Sequence, residues 1–327
     1  MLSQFVWLAG GILLLLFAGD ALVRGSVAAA IRAGVSPLIA GIVIVGFGTS
    51  LPEMLVSVQA GLEGAHSLAH GNIVGSNIAN LLLVLAVPAI ISPIATRTSG
   101  LRRSITATLL VTILWVVVTF YFGLNPTIGV IFLGLLCLYV GYMVLSNRSE
   151  MASESAISIE DLKEEVGDIQ MPVWKMIAFV LIGLVGLFLG AQLTINSGVA
   201  IAQALGVSEA IIGLTLLAVG TSLPEVGAGI AAAMRKQSDM ALGNVVGSNM
   251  FNLMGAGGAV ALVGQQSLGE SFFAFSHPVM LGATLLVAFF IFTRLNIGRI
   301  AGIVFLVAYA AYIWGLVNGW SIPAITG

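Results

Sequence analysis

Residues 36–81 align without a gap on residues 208–253, and 19 of the 46 positions are identical. The first copy carries Gly48-Thr49-Ser50-Leu51-Pro52-Glu53 and then Gly71-Asn72-Ile73-Val74-Gly75-Ser76-Asn77-Ile78-Ala79-Asn80. The second carries Gly220-Thr221-Ser222-Leu223-Pro224-Glu225 and then Gly243-Asn244-Val245-Val246-Gly247-Ser248-Asn249-Met250-Phe251-Asn252. A duplication of this kind makes the chain two versions of one unit. How the two versions sit depends on the number of elements between equivalent points.

Those elements are apolar runs of membrane-helix length. Ten are expected, at roughly 4–25, 36–62, 69–93, 104–123, 126–146, 173–205, 208–234, 239–264, 275–293 and 298–317. Only 8% of the 327 residues are charged, too few to cover a soluble surface. Five spans separate equivalent points, and five is odd, so the halves cross the bilayer in opposite senses. The charges agree. Glu63 and Gly64 in the first copy align with Arg235 and Lys236 in the second. All twelve Lys and Arg fall on one side of the ten-span arrangement, from Arg24 and Arg32 to Arg294 and Arg299. Basic loops stay in the cytoplasm. The expectation is therefore a multi-pass protein of the cell (inner) membrane with both termini outside. Its units are residues 1–146, a cytoplasmic acidic linker at 147–172 holding seven of the fourteen carboxylates, and an inverted second unit at 173–327. A short helix is expected in the linker near Ile159–Val166. The fold class is all-α: ten transmembrane helices as two inverted five-helix repeats.

Glu53 lies about 13 residues before the turn near His66, and Asn80 about 14 after it. At 1.5 Å per residue both sit roughly 20 Å from the membrane surface. The same holds for Glu225 and Asn252 about the turn near Ser238. A carboxylate at that depth costs at least ~2.5–3.5 kcal/mol. No Lys or Arg in the spans reaches it, so its partner is a cation or a proton. Pro52 and Pro224, with Gly48 and Gly220 a turn earlier, are expected to break or kink their helices and free main-chain carbonyls. Carbonyls, the hydroxyls of Thr49, Ser50, Thr221 and Ser222, and two carboxylates make an all-oxygen site. Such a site suits Na⁺ or Ca²⁺, which takes about six to eight oxygens. The lack of nearby His or Cys argues against zinc or copper.

Other residues have plainer readings. Gly71, Gly75, Gly243 and Gly247 suit close helix packing. Ser76, Asn77, Ser248 and Asn249 fit either a ligand or an inter-helix hydrogen bond. Asp20 is expected to pair with Arg24 one turn on. His66, His70 and His277 map to outside connections and are expected to be solvated, and Cys137 to pack in an apolar run.

At the paired motifs the chain resembles the sodium/calcium exchanger branch of the cation/calcium antiporter superfamily. The resemblance implies that Glu53 and Glu225 coordinate Ca²⁺ and Na⁺ in competition. It adds Thr49, Ser50, Thr221, Ser222, Ser76, Ser248 and Asn80 as ligands, with main-chain ligation near Phe47 and Ala218. It further implies that spans 1 and 6 move against the rest. One departure stands out: many family members carry aspartate where this chain has Asn252, so the site holds two carboxylates. A charge of −2 is balanced by one Ca²⁺ or two monovalent ions. The function implied is a Na⁺/Ca²⁺ antiporter using alternating access, and not an enzyme. Its only partners would be the two ions and the bilayer, with no cofactor, nucleic acid or obligatory protein. H⁺/Ca²⁺ exchange and a passive cation channel remain open alternatives on the same scaffold.

Overall fold

The computed structural model describes residues 2–153, 171–206, 218–264 and 272–320. The first half supplies α1 (Leu2–Ala33), α2 (Pro37–Leu62), α3 (His66–Ile91), α4 (Leu101–Tyr121) and α5 (Pro126–Ser153). The second supplies α6 (Val173–Ala204), α7 (Leu223–Met234), α8 (Ser238–Val263), α9 (Phe273–Thr293) and α10 (Arg299–Val317). All but α7 are long and apolar enough to cross a bilayer. The expected seventh span began at 208; residues 207–217 lie outside the described ones. So does the expected linker helix, although α5 runs on to Ser153, past the expected end of its span.

The core is mainly apolar and also encloses a set of polar side chains, Glu53 and Glu225 among them. α3 and α8 are the most enclosed helices, whereas α5, α6 and α10 turn large apolar side chains outward, among them Leu138, Trp174 and Ile300. In water such a surface would be a liability; against lipid tails it is solvated. α1 and α6 pack along much of their length. A Cβ on Gly183 would lie 2.6 Å from the Leu22 nitrogen, so the helix backbones touch there. α2 and α8 make the corresponding contact between the two halves. A Cβ on Gly41 would lie 2.7 Å from the Met240 carbonyl oxygen and 3.1 Å from the Gly243 Cα.

The basic connections gather at one end. Ile94 and Ile297 form an antiparallel bridge with N–H···O distances of 2.9 and 3.0 Å, joining the α3–α4 connection to the α9–α10 connection. Arg102 donates to the Phe292 carbonyl (2.8 Å) and Arg299 to the Ile90 carbonyl (3.1 Å). Asp20 pairs with Arg24 at 2.9 Å, as expected, and also with Arg235 of the α7–α8 connection.

Three expectations change. His70 and His277 are buried rather than solvated: the Trp115 indole of α4 donates to His277 Nε2 at 3.2 Å and packs beside the His70 ring. Both lie inside their helices, one turn beyond the connections, where the neighbouring helix already covers them. Cys137 faces outward from α5. And Pro52 does not break its helix. Residues Phe47–Leu62 are continuous α-helix through it, and the irregularity is a π-helical stretch just before, Gly41–Gly46.

Candidate cation-binding site

Glu53 and Glu225 are 1% and 0% exposed, on the two helices that carry the repeated hexapeptide. Pro52 has no N–H to donate, so the Gly48 carbonyl one turn back is left without its helical partner. In the second copy the chain departs from helix. Ala218–Gly220 forms one short turn, Thr221 and Ser222 leave it, and α7 starts at Leu223 with Pro224 in its first turn. Proline is at home there, because first-turn N–H groups have no helical acceptor.

The two halves meet at these residues. Ser50, one turn before Glu53, donates to Glu225 Oε1 at 3.4 Å. The Glu225 carboxylate therefore lies against the turn of α2 that carries Glu53. Thr49 Oγ1 lies 2.9 Å from the Val45 carbonyl and 3.3 Å from Asn244 Oδ1. Ser248 donates to the Gly46 carbonyl (3.3 Å) and Asn249 to the Asn77 carbonyl (3.5 Å), both across the repeat interface. For Ser248 and Asn249 the inter-helix hydrogen bond is thus realised. Ser76 is buried on α3.

A set of polar atoms is left over. Both carboxylate oxygens of Glu53, Oε2 of Glu225, both amide atoms of Asn80 and of Asn252, Oδ1 of Asn77 and of Asn249, and the Ser222 hydroxyl are buried. None has a hydrogen-bond partner among the described residues. Buried polar atoms are normally satisfied, and an isolated buried carboxylate is costly. The atoms just named all belong to the repeated motif, and most are oxygens. Among the described residues no group of three or more His, Cys, Asp or Glu could hold a metal. The donor set is two acids supplemented by amides, hydroxyls and carbonyls, the chemistry of a hard cation.

Two expected positions contribute no side chain. Phe47 is 41% exposed and packs its ring on Phe251 with centroids 5.1 Å apart. Ala218 offers main chain at the start of the broken turn. Asn80 opens a π-helical stretch, Asn80–Val84, and Asn252 lies in another, Phe251–Ala256. Such stretches are frequent at functional sites because they leave the helical hydrogen-bond ladder out of step.

Sequence reasoning missed Asn72 and Asn244. Asn72 Nδ2 donates to the Glu53 carbonyl (3.0 Å) and to Ser57 Oγ (2.8 Å), and Asn244 Nδ2 donates to the Glu225 carbonyl (3.2 Å). Each asparagine follows its glutamate by the same 19 residues, and that shared interval was the available signal.

Comparison with known proteins gives a consistent result. A family model described as sodium/calcium exchanger protein matches residues 3–145 and again 175–318. The putative antiporter CaxA of Alkalimonas amylolytica is 31% identical over 315 residues, covering 95% of this chain and 98% of its own. An uncharacterized membrane protein of Methanocaldococcus jannaschii, MJ0091, is 35% identical over 314 residues, covering 94% and 96%. Among solved structures, the sodium-calcium exchanger NCX_Mj soaked with 2.5 mM Na⁺ and 0.1 mM Ca²⁺ superposes with a TM-score of 0.81 at 33% identity. It spans 97% of this chain and 99% of that one.

Proposed function

This chain belongs to the sodium/calcium exchanger family, and from that premise we propose that it is a secondary-active antiporter trading Na⁺ for Ca²⁺ at the buried site between its two halves. The observation that carries this reading is the set of unpartnered, buried oxygens of Glu53, Glu225, Asn80 and Asn252. The same residue types at the same spacing in an inverted pair describe one site reached from both sides, as in secondary transporters. Thr49, Ser50, Thr221, Ser222, Ser76 and Ser248, with main-chain carbonyls near Phe47 and Ala218, complete the donor set.

Two carboxylates set the charge arithmetic. One Ca²⁺ or two Na⁺ neutralise them, so calcium and sodium compete for Glu53 and Glu225. Any further sodium rests on neutral oxygens. A site emptied of cations leaves two buried carboxylates facing each other, which disfavours rearrangement of the empty protein and couples the two fluxes. The ions leave as they entered, so no bond is made or broken and the protein is no enzyme. The end bearing Arg24, Arg97, Arg102, Arg235 and Arg299 faces the cytoplasm with the acidic linker, and both termini lie outside.

The test is calcium uptake into proteoliposomes of the purified chain. An outward sodium gradient is expected to drive uptake with no added proton gradient. Uptake driven by protons and indifferent to sodium would overturn sodium coupling. Unitary currents without counter-ion dependence would overturn antiport altogether.

A further inference from the structure

The amide of Asn244 is held from two sides. Its Nδ2 lies 3.2 Å from the Glu225 carbonyl, and its Oδ1 lies 3.3 Å from Thr49 Oγ1 in the other half of the chain. A main-chain carbonyl only accepts, so the NH₂ end must face Glu225 and the oxygen end must face Thr49. That oxygen also only accepts. The Thr49 hydroxyl has two further acceptors beside it, the Val45 carbonyl at 2.9 Å and the carboxylate of Glu225. Asn244 Oδ1 therefore competes with the Glu225 carboxylate for the single hydroxyl hydrogen of Thr49, and a hydrogen drawn to Asn244 leaves a Thr49 lone pair for the site. A hydroxyl binds a cation only through its lone pairs, with its hydrogen directed elsewhere.

We propose that Asn244 is a positioning residue for the cation site: one amide fixes the main chain at Glu225 and sets the hydroxyl direction of Thr49 across the repeat interface. Asn72 does the first half of this task in its own repeat. Both of its contacts, the Glu53 carbonyl and Ser57 Oγ, lie within that repeat. The second half's counterpart of Ser57 is Gly229, which has no hydroxyl. The strut between halves is thus one-sided, through Asn244. The proposal rests on the exchanger reading only in taking calcium as the ligand to measure.

The test is a double-mutant cycle in calcium affinity, by calorimetry on the full-length protein in detergent. Thr49→Ala and Asn244→Ala are each expected to weaken binding about tenfold or more, with melting temperatures in calcium-free buffer within a few degrees of the parent. The double variant is expected to be no more than about threefold weaker than the worse single, because removing the asparagine already misdirects the hydroxyl. Asn72→Ala combined with Thr49→Ala is expected instead to multiply. In proteoliposomes the Asn244 loss falls on the KM for calcium rather than on the maximal rate. Parental affinity in Asn244→Ala, or a double loss equal to the product of the singles, overturns the proposal. Should Asn244→Ala not fold, Asn244→Asp carries the test. It keeps an acceptor for Thr49 but sets an oxygen against the Glu225 carbonyl, so it is expected to weaken binding about tenfold, and parental binding overturns the idea. Failure of the exchanger reading looks different: calcium binds, the cycle closes as described, and sodium drives no uptake.

Discussion

The two copies of Gly-Thr-Ser-Leu-Pro-Glu have one sequence and two conformations. In the first half it runs through unbroken helix, with proline in the interior and the distortion displaced upstream to Gly41–Gly46. In the second half the chain turns at Thr221 and Ser222, and proline falls in the first turn of a new helix. The residues are the same, so the difference comes from what surrounds them. α2 is gripped by α8, where the backbone comes close at Gly41 and Ser248 bonds Gly46. The hydroxyls diverge accordingly: Ser50 reaches Glu225, whereas Ser222 has no partner among the described residues. A motif can therefore specify a site while its neighbours specify the shape in which that site is held.

Substitutions at equivalent positions probe how deep this difference goes. The largest expected effect is one the halves share. Glu53→Gln and Glu225→Gln each remove a charge that a neutral amide cannot replace, so sodium-driven calcium flux is expected to fall below detection in both. Parental flux in either variant would remove that glutamate from the site. Next comes a pair that tests whether the halves pack alike. A Cβ on Gly247 would lie 2.5 Å from the Ile42 carbonyl oxygen and 2.7 Å from its Cα. Gly247→Ala is thus expected to cost about 1–3 kcal/mol in thermal or denaturant unfolding. Around its equivalent, Gly75, a Cβ meets nothing within 4 Å among the described residues. Gly75→Ala probes the same position of the first half, where the stretch equivalent to Ile42 falls within residues 207–217, outside the described ones. Equal losses at the two glycines would mean that the halves pack alike.

A smaller contrast is expected between serines. Ser50→Ala removes a hydrogen bond to a carboxylate, worth about 1 kcal/mol at this length, so calcium affinity is expected to drop roughly fivefold. Ser222→Ala is expected to cost less, and the reverse order in a binding titration would break the comparison. A separate probe is Asn252→Asp, which adds a third carboxylate beside the two present. It is expected to retain at least about a tenth of parental flux, because every oxygen donor survives. Complete loss in the flux assay would mean that the amide nitrogen matters.

Much of this architecture was legible because its signals are local and doubled. Apolar run length gave the spans, and an odd count between copies gave the inversion. The misreadings have a common cause in contacts between distant segments. Pro52 alone argues for a break, yet the helix continues through it and the irregularity falls at Gly41–Gly46, where α8 packs closely. His70 looks solvated until Trp115 is brought over it from α4. Asn72 and Asn244 were visible in the motif and shared one interval from glutamate. Their role still required knowing that each side chain points back at that glutamate's main chain.

The Ser50–Glu225 contact joins residues 175 positions apart. In the order of synthesis, that distance is time. The first half enters the membrane with Glu53, Asn77 and Asn80 in place and nothing from the second half to face them. It has to keep these groups in lipid, or in the insertion machinery, until Glu225, Asn244 and Asn252 arrive. The Ile94–Ile297 bridge closes later still, close to the end of the chain. Biogenesis therefore passes through an intermediate with an acid in its membrane-buried face.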